Sequence, residues 1–288
     1  MTDDAPPYAP AVVEILTSRV LLRPTDLGRS LRFYEQTVGL AIYREWGSGS
    51  SRGVVFFLGG GGLLELSGGG GRPVSDAVSL VLQVRDVHAT YERLVRSYEL
   101  ETPAGWPNLE AFLVELADHL KTLHVLRAHP IGQSLRHGAQ TGQSLARSEA
   151  PVVKAFFAAI DAPIRSYIDG LKGRDDVLGA RVATGYRFAG AWSVRLRPGG
   201  LHVDHIHPMG WISSAFHVEL PAAIENGHEG WLKFGEPGAV TNPALTAEYF
   251  VKPKAGTLVL FPSYMWHGTE PFAGDEPRLS IAFDVLPQ

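Results

Sequence analysis

The sequence predicts an α+β chain in which strands and helices mixed at the front give way to an unbroken run of strands at the end. Three observations carry this. Residues 14–98 read as a strand, a helix, four strands and a second helix. Residues 108–124 and 152–171 carry apolar side chains at helical spacing. From Tyr186 onward, short strand-like segments follow one another to the C-terminus.

Taken in order, residues 14–24 form the first strand. Asp26 caps a helix on which Leu27, Leu31 and Tyr34 recur at helical spacing, and Gly39 ends it. Strand-like runs follow at 40–45, 54–58, 63–66 and 77–84, and Asp86 opens a helix over 87–98. The glycine tracts at 59–62 and 69–71 are not followed by Lys-Ser or Lys-Thr, so they are hairpin connections rather than phosphate-binding loops. The join between two halves falls at 96–103. Asn108 caps the next helix, whose apolar side is Phe112, Leu113, Leu116, Leu120 and Leu123. Residues 130–148 are polar and read as a long irregular segment, of the kind that lines functional entrances. Val153, Phe156, Phe157, Ile160, Ile164 and Ile168 mark one face of the helix over 152–171. No repeat of 20–50 residues is visible.

Composition removes several function classes. With 45% hydrophobic and 19% charged residues, 288 residues can bury a sizeable core. A net charge of −4 without a basic run argues against a nucleic-acid surface. The absence of cysteine excludes disulfides, iron–sulfur clusters and thiol nucleophiles, so any metal must be held by His, Asp or Glu. Residues 1–13 are an acidic, Pro-containing tail with no apolar run, and no stretch reaches 18 apolar residues. The expectation is a soluble cytoplasmic protein without membrane contact.

The chemistry concentrates in His202-Val203-Asp204-His205-Ile206-His207-Pro208, where three histidines and a carboxylate fall within six residues between strand-like flanks. Side chains two apart share a strand face, so His202 with Asp204, or His205 with His207, can chelate one ion. A third ligand is available downstream in His267, and Arg278 follows within a strand pattern. Chemistry alone favours His202 and Asp204, because they supply the carboxylate of a two-histidine, one-carboxylate iron site. A guanidinium such as Arg278 forks onto a co-substrate carboxylate. The competing reading of Arg278 is a surface residue paired with Asp275 or Glu276. Trp192, Trp211 and Trp266 read as barrel core, and His217 and His228 as structural or exposed.

Residues 103–288 resemble a family of 2-oxoglutarate/Fe(II) oxygenases. The phrases that carry the resemblance are Gly105-Trp106-Pro107-Asn108, Gln133-Ser134-Leu135-Arg136, His205-Ile206-His207-Pro208, Gly210-Trp211-Ile212-Ser213-Ser214, Leu260-Phe261-Pro262-Ser263 and Trp266-His267-Gly268-Thr269. The resemblance implies a double-stranded β-helix, or jelly roll, with preceding helices. It implies a dioxygenase, of hydroxylase type, that uses Fe(II) and 2-oxoglutarate on a small-molecule or peptidyl substrate. It favours His205, His207 and His267 as metal ligands, with His202 and Asp204 as alternates, and Arg278 as the co-substrate residue. Asp204 could then orient an imidazole from outside the ligand set.

Residues 14–98, with Asp26-Leu27-Gly28-Arg29-Ser30-Leu31-Arg32-Phe33-Tyr34 near their start, resemble the glyoxalase/bleomycin-resistance superfamily, the vicinal oxygen chelate fold, whose modules have βαβββ order. In that superfamily a His or Gln on the first strand and a Glu on the fourth hold a metal. Glu65 stands at the fourth-strand position, but Arg19 occupies the first-strand position and Ser79 its counterpart in the second module, which stops after its helix. The departures imply a remnant or docking module, with an open sheet edge suited to forming a homodimer. The alternatives to an oxygenase are a cupin-like metal protein without oxygenase activity, and a small-molecule binding or resistance protein acting through this module.

Overall fold

Along the C-terminal strands polar and apolar residues alternate, and the two faces this creates determine the architecture. The computed structural model describes residues 15–59, 62–68, 79–84, 87–125, 133–174, 178–238 and 244–288. The expected tail at 1–13, the glycine tract at 69–71, the centre of the tract at 59–62, and Asp86 lie outside the described residues. The chain divides into two compact units, Met1–Thr90 and Tyr91–Gln288.

The first unit contains β1 (Ile15–Leu22), α1 (Leu27–Arg32) continued by a wider helical turn (Phe33–Thr37), β2 (Ile42–Trp46), β3 (Gly53–Gly59), β4 (Gly62–Ser67) and β5 (Ser79–Val84). Asp26 caps α1 by accepting from the amide of Arg29 at 2.8 Å, and the chain leaves the helix through Gly39 at φ 76°. The sheet order is β2-β3-β4-β1-β5, with β1 and β4 parallel. Val54 and Phe56 of β3 point to the same side and pack with Leu31, Leu64 and Leu66 into a small core.

Helix α2 (Val87–Leu94) contains the division, and β6 (Arg96–Glu99) belongs to the second unit. A helix over 87–98 was expected. It stops at Leu94 because residues 96–99 pair with a strand near the C-terminus, a long-range interaction that local spacing does not register. There follow α3 (Leu109–Leu123), β7 (Leu135–Gln140), α4 (Pro151–Asp169), β8 (Tyr186–His202), β9 (Ile212–Glu219), β10 (Leu232–Phe234), β11 (Tyr249–Val251), β12 (Thr257–Pro262), β13 (His267–Thr269) and β14 (Arg278–Pro287). Asn108 caps α3 by accepting from Ala111 N at 2.8 Å, a contact worth about 1 kcal/mol. The segment expected to be irregular at 130–148 contains β7, held in register by β8.

The strands form a jelly roll. Its larger sheet is antiparallel, in the order β6-β12-β9-β14-β8-β7, and its smaller sheet runs β11-β10-β13. On β14, Leu279, Ile281, Phe283 and Val285 join the core with Ile212 and Phe216 of β9 and Leu258 and Leu260 of β12. The apolar stripes of α3 (Phe112, Leu116, Leu120) and α4 (Phe156, Ile160, Ile164) complete it. Phe156 and Phe216 meet with ring centroids 4.9 Å apart, and truncating either to Ala would cost about 3–5 kcal/mol. The alternate residues of β14, Arg278, Ser280, Ala282 and Asp284, line a cavity of about 550 Å³ whose walls come from both sheets. Among the described residues, no helix is long and apolar enough to cross a membrane.

Candidate metal and co-substrate site

The site is assembled where β8 leaves the larger sheet. Opposite β7 the register jumps from Arg136↔Leu201 to Gly138↔Leu196, so residues 197–200 of β8 bulge out. Facing the bulge, His137 has a φ of 51°, a conformation that side chains other than glycine adopt at a cost. Beyond His202 the chain crosses to the smaller sheet and forms one β-bridge, His205↔His267. The bridge is reciprocal: His205 N donates to His267 O at 3.0 Å and His267 N to His205 O at 3.1 Å. Such directly opposed residues present side chains to the same face. Gly268 permits the approach, because a Cβ there would lie 2.6 Å from Oδ1 of Asp204 and 2.9 Å from the carbonyl of His202.

His205, His207 and His267 converge. A ring nitrogen from each lies within 4.8 Å of the others. Each Nδ1 already has an acceptor: the Val203 carbonyl for His205 at 2.7 Å, the Met265 carbonyl for His267 at 2.8 Å, and both carboxylate oxygens of Asp284 for His207 at 2.7 Å. With Nδ1–H donated outward, Nε2 is the nitrogen left with a lone pair, which is how metal-binding imidazoles are oriented. Burial, and then the charge of neighbouring imidazoles, lowers His205 to about 4 and His267 well below its usual range, so both are neutral at pH 7.

The alternate pair separates. His202 lines the cavity beside His205, with ring centroids 6.0 Å apart, and its Nδ1 lies 3.0 Å from Ser134 Oγ. Asp204 turns to the opposite side, where its Oδ2 pairs with Lys233 Nζ at 3.2 Å. Two-residue alternation placed His202 and Asp204 on one face. It fails because the chain stops being a strand after His202. Asp204 therefore orients no imidazole, and the carboxylate that does so is Asp284.

Arg278 is 2% exposed and lines the same cavity. Among the described residues no carboxylate pairs with it. Asp275 and Glu276 do not reach it, and Glu276 instead accepts from Ala222 N at 2.8 Å. Its Nη2 donates to Nδ1 of His217 at 3.3 Å, while its Nε and the Nε2 of His217 have no partner. Burial lowers the guanidinium to about 10, so it remains a cation facing a cavity. A buried, unneutralised guanidinium is an anion site. The three-imidazole donor set and this orphaned cation fit a divalent metal and a dicarboxylate.

The expectation that Trp192 belongs to the barrel core requires correction. Trp192 is half-buried and lines the cavity, whereas Trp211 is core, with its Nε1 donating to Leu178 O at 3.0 Å. His217, read as structural or exposed, is structural: it is fully buried against Arg278. Two-residue alternation along β14 places Asp284, a residue that ligand spacing alone does not single out, on the face of Arg278. Gln133, Ser134 and Gln140 also line the cavity, on the segment read as irregular.

In the first unit the two positions that would hold a chelate metal neutralise one another. Arg19 Nη1 lies 2.8 Å from Glu65 Oε2, and the Ser67 hydroxyl donates to Glu65 Oε1 at 2.7 Å.

Residues 190–284 match the family model described as "Putative 2OG-Fe(II) oxygenase", and residues 17–106 match that of the Glyoxalase/Bleomycin resistance protein/Dioxygenase superfamily. No curated protein sequence matches the chain. Similar solved structures include a prolyl-4-hydroxylase from Pseudomonas putida, with 16% identity over 70% of this chain and 97% of that one at a TM-score of 0.47. Another is a prolyl hydroxylase from Trichoplax adhaerens solved with a hypoxia inducible factor peptide, with 14% identity over 69% and 86% and a TM-score of 0.47. A third is HygX from Streptomyces hygroscopicus solved with nickel, 2-oxoglutarate and hygromycin B, with 14% identity over 72% and 88% and a TM-score of 0.44.

Proposed function

We propose that the second unit is a non-haem Fe(II)- and 2-oxoglutarate-dependent oxygenase of hydroxylase type, acting on a small-molecule or peptidyl substrate. The observation that carries this reading is the convergence of three imidazoles, each with Nδ1 engaged, in one cavity with an unneutralised arginine. The match of residues 190–284 to the oxygenase family supports it. His205, His207 and His267 hold the metal through Nε2. Arg278 takes the distal carboxylate of 2-oxoglutarate, and His217, accepting from its Nη2, fixes the guanidinium plane. When bound, iron and 2-oxoglutarate supply the oxidising chemistry, in which the co-substrate is decarboxylated to succinate. Trp192, Phe261 and Leu232 wall the cavity with apolar surface and limit water beside the metal.

Succinate formation tests the reading. Iron-loaded protein given oxygen and 2-oxoglutarate is expected to form succinate slowly even without a substrate. Protein that carries iron and forms no more succinate than a metal-free control would remove the oxygenase reading. It would leave a cupin-like metal protein, which the carboxylate-free donor set favours.

A further inference from the structure

We infer that Asp284 is a positioning residue that supplies, through His207, the negative charge that the three-imidazole metal site itself lacks. The inference rests on the metal-site reading above. Imidazole ligands bring no negative charge, so three of them leave the full charge of a divalent ion uncompensated. Asp284 is the sole carboxylate lining the cavity among the described residues. It does not join the cluster of ligand nitrogens. Instead both its oxygens lie 2.7 Å from Nδ1 of His207. Its place is itself fixed, because the Ser213 hydroxyl reaches Oδ1 at 2.7 Å and the Ser263 hydroxyl lies 2.9 Å from that of Ser213. A carboxylate accepting from Nδ1–H increases electron density at Nε2, so His207 becomes the strongest donor of the three. His205 and His267 give their Nδ1–H to neutral backbone carbonyls and gain no such charge. The site is therefore electronically unequal, with one ligand approaching a carboxylate in character.

Asp284→Asn tests this, because the amide keeps the volume and an acceptor but removes the charge. Two quantities are measured on the full chain: the dissociation constant for Co(II), by competition with a coloured chelator, and the charge-transfer band of the anaerobic Fe(II)–2-oxoglutarate complex. The expected result is Co(II) binding weakened about 10- to 100-fold, a band shifted to higher energy, and an unchanged melting temperature for the metal-free protein. Ser213→Ala should move both quantities in the same direction by less. If Asp284→Asn binds Co(II) like the wild type and its band does not move, Asp284 has no such role. A weakened affinity with an unmoved band would also overturn the charge inference. Wild-type protein that binds no Co(II) would overturn the metal site itself and this inference with it.

Discussion

The guanidinium of Arg278 donates to Nδ1 of His217 at 3.3 Å, and among the described residues this ring is the nearest thing to a partner that the buried cation has. Burial and the adjacent guanidinium push His217 well below its usual pKa, so it stays an acceptor. The Nε of Arg278 has no partner, and in the proposed role it and the remaining N–H groups would meet the co-substrate carboxylate. Arg278→Ala is therefore expected to weaken 2-oxoglutarate binding by about 1.5–3 kcal/mol, roughly 10- to 150-fold, and to leave metal affinity nearly unchanged. Arg278→Lys should recover part of the loss, since an ammonium cannot fork. Isothermal titration of 2-oxoglutarate into metal-loaded protein reads the effect, and equal affinities for mutant and wild type would exclude Arg278 from co-substrate binding.

His205→Ala, His207→Ala and His267→Ala should each abolish tight metal binding, since a two-imidazole remnant leaves most coordination to water. Asp204→Ala should leave it nearly intact, because Asp204 faces Lys233, which keeps Glu236 at 2.7 Å and Glu270 at 3.5 Å. Equilibrium dialysis followed by metal analysis decides the matter. An Asp204→Ala protein without metal, beside a His207→Ala protein that keeps it, would exchange the roles of the two pairs.

The contrast between Asp204 and Asp284 shows what was legible. Ligand chemistry and spacing singled out the histidine cluster, His267 and Arg278, and the run of strands indicated a β-rich second half. Which pair within the cluster converges depends on where β8 ends, and that is set by its bulge opposite His137 and its bridge to His267, both long-range features. Period-two reasoning therefore misplaced Asp204 at a strand end, yet along β14, a regular strand, the same reasoning would have found Asp284. Likewise β6 and β7 are created by partners far away in sequence, β12 and β8, and neither segment has a strong strand pattern of its own.

Several buried imidazoles make stability depend on pH. Burial, then Arg195, lowers His124 to about 4, and burial, then His205, lowers His202 to about 3; His217 lies well below its usual range. In the unfolded chain each takes up a proton near pH 6.5. Below that pH the unfolded chain binds more protons than the folded one, so unfolding becomes easier as pH falls. Stability should be full above about pH 6.5 and decline toward pH 4, by up to about 1.4 kcal/mol per pH unit for each imidazole. Urea denaturation of metal-free protein at pH 7, 6 and 5 measures this, and His124→Gln should flatten the slope. Identical midpoints at the three pH values would contradict it.

The first unit is expected to associate with a second copy of the chain. β2 is an edge strand, and Ile42 and Tyr43 on β2 and Phe57 and Leu58 on β3 are at least 41% exposed. Tyr43 and Phe57 pack edge to face with centroids 4.9 Å apart, which forms a raised apolar surface. Light scattering should give a dimer for the wild type and a shift toward monomer for Tyr43→Lys with Phe57→Lys. A wild-type monomer at all accessible concentrations would refute this association.

In the proposed site one cavity holds both a metal, on His205, His207 and His267, and 2-oxoglutarate, on Arg278. Anaerobic titration of 2-oxoglutarate into the Fe(II)-loaded protein tests it most directly, because only a co-substrate bound to the metal produces a charge-transfer band in the visible region. The expected band saturates at one 2-oxoglutarate per iron, needs far more 2-oxoglutarate in Arg278→Ala, and is absent in His267→Ala. A wild-type protein that carries iron and shows no band at saturating 2-oxoglutarate would contradict it.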